Sequence, residues 1–337
     1  MSLDVLGITV LWIFLYGYLI VASIDFGAGF FAFYGKLTGK DHIINALISR
    51  YLSPVWEVTN VFFVFFFVGI VGFFPDTAYY FGTALLIPGS IALILLAVRG
   101  SFYAFGNYGS KDNIIFLFLY GSTGLLIPAS LSTVLTISEG GFLEESGGKV
   151  IFLAKELFSS FYSWSVVLLA IVSVLFISAA FLTYYADRAA DVEARGVLRK
   201  FMLSWSGPTI LASLLIFISL KGHNPVHFEN ALNYWWMFAL SLFFFFVATY
   251  LVYRKRNYGT AFIAVMLQFF FAFFGYGVSH LPYIIYPFIT IQESVVNPTM
   301  GTALVIVFIA GLFLLIPSLL LLMKLFLFDA EYIKGKK

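Results

Sequence analysis

The sequence predicts an all-α integral membrane protein of nine transmembrane helices, and three observations predict it. Of the 337 residues, 61% are apolar and only 11% are charged, against about 25% charged in soluble domains; mean hydropathy is +0.98. Apolar stretches of about 20 residues, the length that crosses a hydrocarbon core, recur nine times. The lysines and arginines fall in alternate loops, the pattern of the positive-inside rule.

In order, the segments are 5–34, 54–74, 77–105, 113–137, 160–186, 202–221, 232–253, 258–280 and 302–328. The first is long enough to tilt or to project beyond the lipid. It lacks a basic leader and is too long for a signal peptide, so it is expected to be a retained helix. Pro88, Pro128 and Pro317 fall inside spans, where each removes a backbone bond and is expected to kink the helix. Pro54 and Pro208 are placed near helix starts, where proline is tolerated.

Fifteen basic residues share one side: Lys36, Lys40 and Arg50 after the first span, Arg99 and Lys111 after the third, and Arg188, Arg195, Arg199 and Lys200 after the fifth. Arg254, Lys255 and Arg256 follow the seventh, and Lys334, Lys336 and Lys337 close the chain. The other side has only Lys149, Lys155 and Lys221, and Lys324 lies in the last span. The basic side is therefore placed in the cytoplasm, with the N-terminus outside and the C-terminus inside. Residues 1–137 and 160–280 read as a pseudo-repeat within a single membrane domain. Each half has a long first helix, a basic loop and then a helix with Trp56 or Trp205 near its start. Two four-helix bundles plus a last helix, 302–328, are expected.

Composition excludes several classes of function. A net charge of +2 points to no nucleic-acid partner, and the absence of cysteine removes disulfides, iron–sulfur clusters and thiolate metal sites. There is no phosphate-binding glycine loop, no dinucleotide motif and no hydrolase triad pattern.

Chemistry concentrates in a few polar positions. Glu57 opens an uncharged run that continues to Phe74. A carboxylate at a span's centre costs roughly 2.5–3.5 kcal/mol on insertion scales. The cost is lower near the entrance, but such an acid still faces protein or water in preference to lipid. Glu57 is thus the first candidate for a proton path, and Trp56 beside it is a candidate either for an interfacial anchor or for a functional contact. Asp25 lies late in the first span, before Phe26-Gly27-Ala28-Gly29. The glycines let another helix approach closely, so Asp25 reads either as one hydrogen-bonded acid at a packing seam or as part of a polar pathway. Arg99 ends the third span and reads either as a snorkelling cytoplasmic arginine or as the partner of an anionic group such as a lipid or a haem propionate. His223 and His227 are four apart but separated by Pro225 in a loop-like stretch, which makes them a poor helical metal pair. His42 lies in a basic loop and His280 at the end of the eighth span. No histidine occupies the middle of a span, so the chain alone is expected to bind no haem through histidine and no metal.

The residues also carry a resemblance. Asp25-Phe26-Gly27-Ala28-Gly29, Trp56-Glu57, Arg99-Gly100, Tyr286-Pro287, Ile289-Thr290-Ile291 and the Pro317 helix running to Phe328 follow one another in order and spacing. In this the chain resembles subunit II of the cytochrome bd-type quinol oxidases. It departs from the family pattern at Ala22, where an acid is usual, at Thr59, where Asn is usual and Asn60 stands next to it, at Phe62 for a second Trp, and at Ala104 for another acid. The chain thus looks like a divergent branch with fewer acids.

The resemblance implies a complex that takes electrons from a membrane quinol and reduces dioxygen to water with cytoplasmic protons. It implies that subunit I holds two haems b and one haem d, together with the quinol site. The present chain would then be a haem-free partner in a heterodimer, in a bacterial or archaeal cell membrane. A small single-helix third subunit, lipids and a structural quinone are further implied partners. Glu57 and Asp25 carry over as proton-path candidates, and Trp56, Arg99 and Asn60 as candidates for contact with the partner or the haem environment. Two other readings stand beside it: a secondary transporter, from the internal duplication and intramembrane acids, and a haem-free membrane anchor for a dehydrogenase.

Overall fold

The computed structural model describes residues 2–105, 113–322 and 324, with side chains at all of these except 46, 49–58, 102–105 and 322. The helices are α1 (Leu3–Leu37), α2 (Asp41–Phe73), α3 (Thr77–Ala84), α4 (Leu86–Phe105), α5 (Ile114–Leu131), α6 (Thr133–Ser138) and α7 (Ala154–Ser159), then α8 (Phe161–Arg188), α9 (Val192–His223), α10 (Pro225–Asn233), α11 (Trp235–Tyr253), α12 (Tyr258–His280) and α13 (Pro298–Leu322). Two short antiparallel hairpins interrupt them, β1 (Leu143–Ser146) with β2 (Lys149–Phe152) and β3 (Tyr283–Ile285) with β4 (Ile289–Thr290). Gly147 and Gly148 close the first hairpin, both at positive φ, as a two-residue turn matching the strand twist requires.

The protein is thus all-α in its main body. Among the described residues, seven helices are long and apolar enough to cross a membrane, or eight if the bent pair α3–α4 is one span. The described apolar part of α2, Thr59–Phe73, is shorter.

Local sequence explains the helix starts. The side chains of Ser160 and Asp191 accept the backbone N–H of Ser163 and Ala194 at the heads of α8 and α9, satisfying donors that a helix start leaves orphaned. Two proline expectations need correction. Pro208 is interior to α9, because that helix begins ten residues before the apolar run, through a solvated turn bearing Glu193, Arg195, Arg199 and Lys200. Pro88 sits in the first turn of α4 instead of mid-span. The chain turns by 72° between Ala84 and Leu86, and the first turn is where the missing N–H of proline costs little. Position 54 falls inside α2, which starts at Asp41.

Helix α1 is the axis of the packing. It contacts α2, α5, α8, α12 and α13, while α8 packs on α9 and α12, and α11 on α12. Its first half (Val10, Leu11, Phe14, Tyr18) joins a core with α2, α13 and the hairpins. Its second half (Ile20, Ile24, Phe31) joins another with α8, α9, α11 and α12. Close approach is set by glycine. A Cβ on Gly27 would lie 2.3 Å from Ser178 Cβ on α8, and one on Gly124 of α5 would lie 2.2 Å from the Phe26 carbonyl oxygen of α1. The Ser178 hydroxyl uses this proximity to donate to the Ile24 carbonyl at 2.9 Å.

Gly124→Val is therefore expected to cut the yield of assembled, monodisperse protein several-fold. Overpacking of this kind costs about 1–3 kcal/mol even where the neighbour can yield, and here the neighbour is backbone. Gly82→Ala, with nothing within 4 Å of its Cβ, should leave the yield unchanged in the same size-exclusion assay.

Candidate functional site

Two polar clusters lie inside this apolar body. The first joins α1, α4 and α5. Arg99 on α4 is fully buried and Asp25 on α1 is 1% exposed. Arg99 Nε donates to Asp25 Oδ2 at 2.9 Å and Nη2 to the Asp25 carbonyl at 2.7 Å, while Nη1 donates to the Tyr120 carbonyl at 2.8 Å and to Thr123 Oγ1 at 3.4 Å. The Tyr120 hydroxyl donates to Asp25 Oδ1 at 3.3 Å. The guanidinium carbon also stands 4.1 Å from the Tyr120 ring centroid and 5.2 Å from that of Phe26, so π-faces cover what hydrogen bonds leave. Tyr120 and Gly124 are four apart on α5, and Gly124 brings the α5 backbone to α1, within reach of Arg99.

The second cluster gathers at the helix ends on the other side from the basic loops. Glu139, just after α6, is 1% exposed. Its Oε1 lies 2.8 Å from His227 Nδ1 and 3.4 Å from His280 Nδ1, and accepts a short hydrogen bond from the Tyr276 hydroxyl. Asn224 Nδ2 donates to Oε2 at 3.0 Å. His227 Nε2 meets Ser279 Oγ at 2.8 Å, and His223 Nε2 lies 3.1 Å from the Gly140 carbonyl. Burial pushes the Glu139 carboxyl up, but His280, His227 and the Tyr276 hydroxyl outweigh it and hold the group at about 2. Local sequence builds the cluster. Asn224 caps α10 by accepting the His227 N–H at 3.1 Å, with Pro225 at the first helical position, so the loop-like Gly-His-Asn-Pro stretch is a helix start.

Of the residues singled out in the sequence, Asp25 and Arg99 are brought together, 74 positions apart. Arg99 is enclosed by protein and does not snorkel along a surface. Asn60 is half-buried on α2. The side chains of Trp56 and Glu57 lie outside the described residues. Sequence reading missed Tyr120 and Thr123, and it missed Glu139, Asn224, Tyr276 and Ser279. An acid ending an apolar span and a Tyr-x-x-Ser-His pattern ending another (Tyr276, Ser279, His280) were the available signals.

Removing one member of a buried ion pair strands the other, at a cost of about 3–5 kcal/mol. Arg99→Met should therefore lower the thermal stability of the assembled protein sharply. Combining it with Asp25→Asn should cost less than the two single changes summed, measured by heating and counting the fraction that remains monodisperse. Asp25→Leu alone should reduce assembly.

A profile of the cytochrome bd terminal oxidase subunit II family matches residues 3–326. A Bacillus subtilis (strain 168) protein named as a cytochrome bd menaquinol oxidase subunit II is 32% identical over 341 residues, covering 98% of each chain. A chain in the solved structure of bd oxidase from Geobacillus thermodenitrificans is 59% identical and superposes with a TM-score of 0.86, covering 98% of the present chain and 100% of that one. The match runs the length of the helical body that holds the Asp25–Arg99 pair, and the chain belongs to the cytochrome bd terminal oxidase subunit II family.

Proposed function

We propose that this chain is the haem-free subunit II of a quinol:oxygen oxidoreductase in a bacterial or archaeal cell membrane. Membership of the family makes it a multi-pass subunit of a respiratory quinol oxidase with a subunit I as partner. The observation that carries the finer reading is the end-to-end 59% identity to a bd oxidase chain at a TM-score of 0.86. Electrons come from a quinol bound by subunit I, with menaquinol as the species in keeping with the Bacillus relative. Dioxygen is reduced to water at two haems b and one haem d held there.

Nine spans with the N-terminus outside and the C-terminus in the cytoplasm are supported by counting α2 and the α3–α4 pair as spans and by the basic loops. Residues 1–137 and 160–280 are repeat halves, supported by the pairings α1–α2 and α4–α5 in one and α8–α9 and α11–α12 in the other. The haem-free role is supported by the histidines, which stand at positions 42, 223, 227 and 280, at or beyond helix ends. Lipid and a structural quinone line the apolar exterior, a small third subunit completes the complex, and Trp56 and Asn60 belong to the region facing subunit I.

In the division of labour we propose, Asp25 is committed to Arg99 and holds the helices, while Glu57 carries protons. A positioned proton-transfer group contributes about a hundredfold or more to rate. Glu57→Gln should slow quinol-dependent oxygen uptake by about tenfold or more with the complex intact, and Glu57→Asp should slow it less. Normal uptake by Glu57→Gln at every pH would remove the proton role.

The reading as a whole is tested on the complex that co-purifies with the tagged chain. Its dithionite-reduced minus oxidised spectrum should show a far-red chlorin band with haem b bands. A colourless preparation retaining its partners would overturn it.

A further inference from the structure

We infer that Glu139, His227 and His280 form a binding site for a divalent first-row metal ion of the zinc type, at the end of the bundle away from the basic loops. The site is separate from the Asp25–Arg99 pair and does not depend on the oxidase reading.

The donor set comes first. One ligand atom from each residue lies within 4.8 Å of the other two. Two imidazoles and a carboxylate are among the commonest protein ligands of zinc. With metal–ligand bonds of about 2.0–2.1 Å, the ligand atoms of a tetrahedral site stand about 3.3 Å apart. His280 Nδ1 is already 3.4 Å from Glu139 Oε1. His227 Nδ1, at 2.8 Å, has to move outward by about half an ångström for a metal geometry.

The hydrogen-bond network supplies the outer shell. Ser279 Oγ lies 2.9 Å from the Tyr276 carbonyl and 2.8 Å from His227 Nε2. With its own proton on that carbonyl, Ser279 accepts from Nε2–H, which leaves Nδ1 to face the carboxylate. Without a metal, a proton on Nδ1 bridges the 2.8 Å to Glu139 Oε1; a metal ion takes the place of that proton. When the metal binds, the Nδ1 proton leaves to solvent and the lone pair goes to the metal. The Nε2–H to Ser279 bond is the outer-shell contact that usually fixes a ligating imidazole.

The carboxylate is likewise held in place, by Asn224 on Oε2 and Tyr276 on Oε1. His280 adds a third observation. Its ring stacks on Tyr276 and hydrogen-bonds the Ile284 backbone, which holds it in place. Held so, it presents Nδ1 to the same carboxylate oxygen at 3.4 Å, the spacing of two ligands on one ion. Its side chain is 10% exposed, against 0% for Glu139 and 3% for His227, so it marks the edge through which an ion would enter. Three protein ligands leave a fourth position for water, as in open zinc sites.

The test uses the intact complex. Wild-type protein is stripped with a chelator, exchanged into zinc-free buffer and titrated with Zn2+ by calorimetry. Bound zinc is then counted by mass spectrometry after dialysis. His280→Ala removes a ligand but no hydrogen bond to another side chain, so it should fold, and His280→Gln serves as a second variant of similar length. Wild type is expected to hold one more zinc per complex than either variant. At this site the variants should bind about a hundredfold or more weakly, on the scale by which even outer-shell changes weaken metal sites by 10–100-fold. X-ray absorption at the zinc edge should show two imidazole ligands together with oxygen. Equal zinc in wild type and both monodisperse variants would overturn the site, as would an absorption spectrum without two imidazoles.

Discussion

A guanidinium removed wholly from solvent needs a counter-charge and acceptors for its donors, and the architecture around Arg99 is arranged to provide both. The charge comes from Asp25 on α1, the acceptors from the α1 and α5 main chains and Thr123, and the remaining faces from Tyr120 and Phe26. Main-chain acceptors can be this close only if the helices touch backbone to backbone, and glycine at 29 and 124 permits that contact. Electrostatics and sterics therefore fix the same geometry. Desolvating two charges is expensive, so the pair adds little to stability as such. What it does is make any other arrangement of α1, α4 and α5 much worse.

Much of the fold was legible in the sequence because lipid imposes simple rules. Among the described residues, seven helices are long and apolar enough to cross a membrane, or eight with the bent α3–α4 pair, and they fall on apolar stretches of the sequence, since backbone groups in hydrocarbon must be satisfied within the element. Boundaries were less legible. Apolar length finds the part of a helix that suits lipid, and it stops where α9 runs on through its charged first turns. The 72° turn before Leu86 was hidden because the nearby Pro88 reads equally well as a mid-span kink or a first-turn residue. The hairpins were missed because four-residue strands in short loops leave almost no periodic signal.

The polar clusters show the limit more sharply. Asp25 and Arg99 each stood out alone as charges in apolar surroundings, but 74 residues separate them and nothing local says that they meet. Glu139, His227 and His280 come from three separate helix ends, far apart in the sequence. Pro225 between His223 and His227 reads as loop and makes them a poor pair, yet proline at a first helical position helps start a helix, here α10. Pairing across such distances is a property of topology, and residue type records it only as an unexplained polar residue.

The sharing of α1 between two apolar cores has a mechanical consequence. Val10, Leu11, Phe14, Tyr18, Ala22 and Phe26 belong to the core with α2 and α13, and Ile20, Ile24, Ala28, Phe31 and Ala32 to the core with α8, α9, α11 and α12, so the two interleave along the middle of the helix. Neither core can come apart without withdrawing one wall of the other. Local opening in such a body does not stay confined to one half, as it does in proteins whose subdomains own their helices outright. The two halves are coupled as one cooperative unit, and an event that shifts α1 along its axis is felt at both ends of the bundle at once.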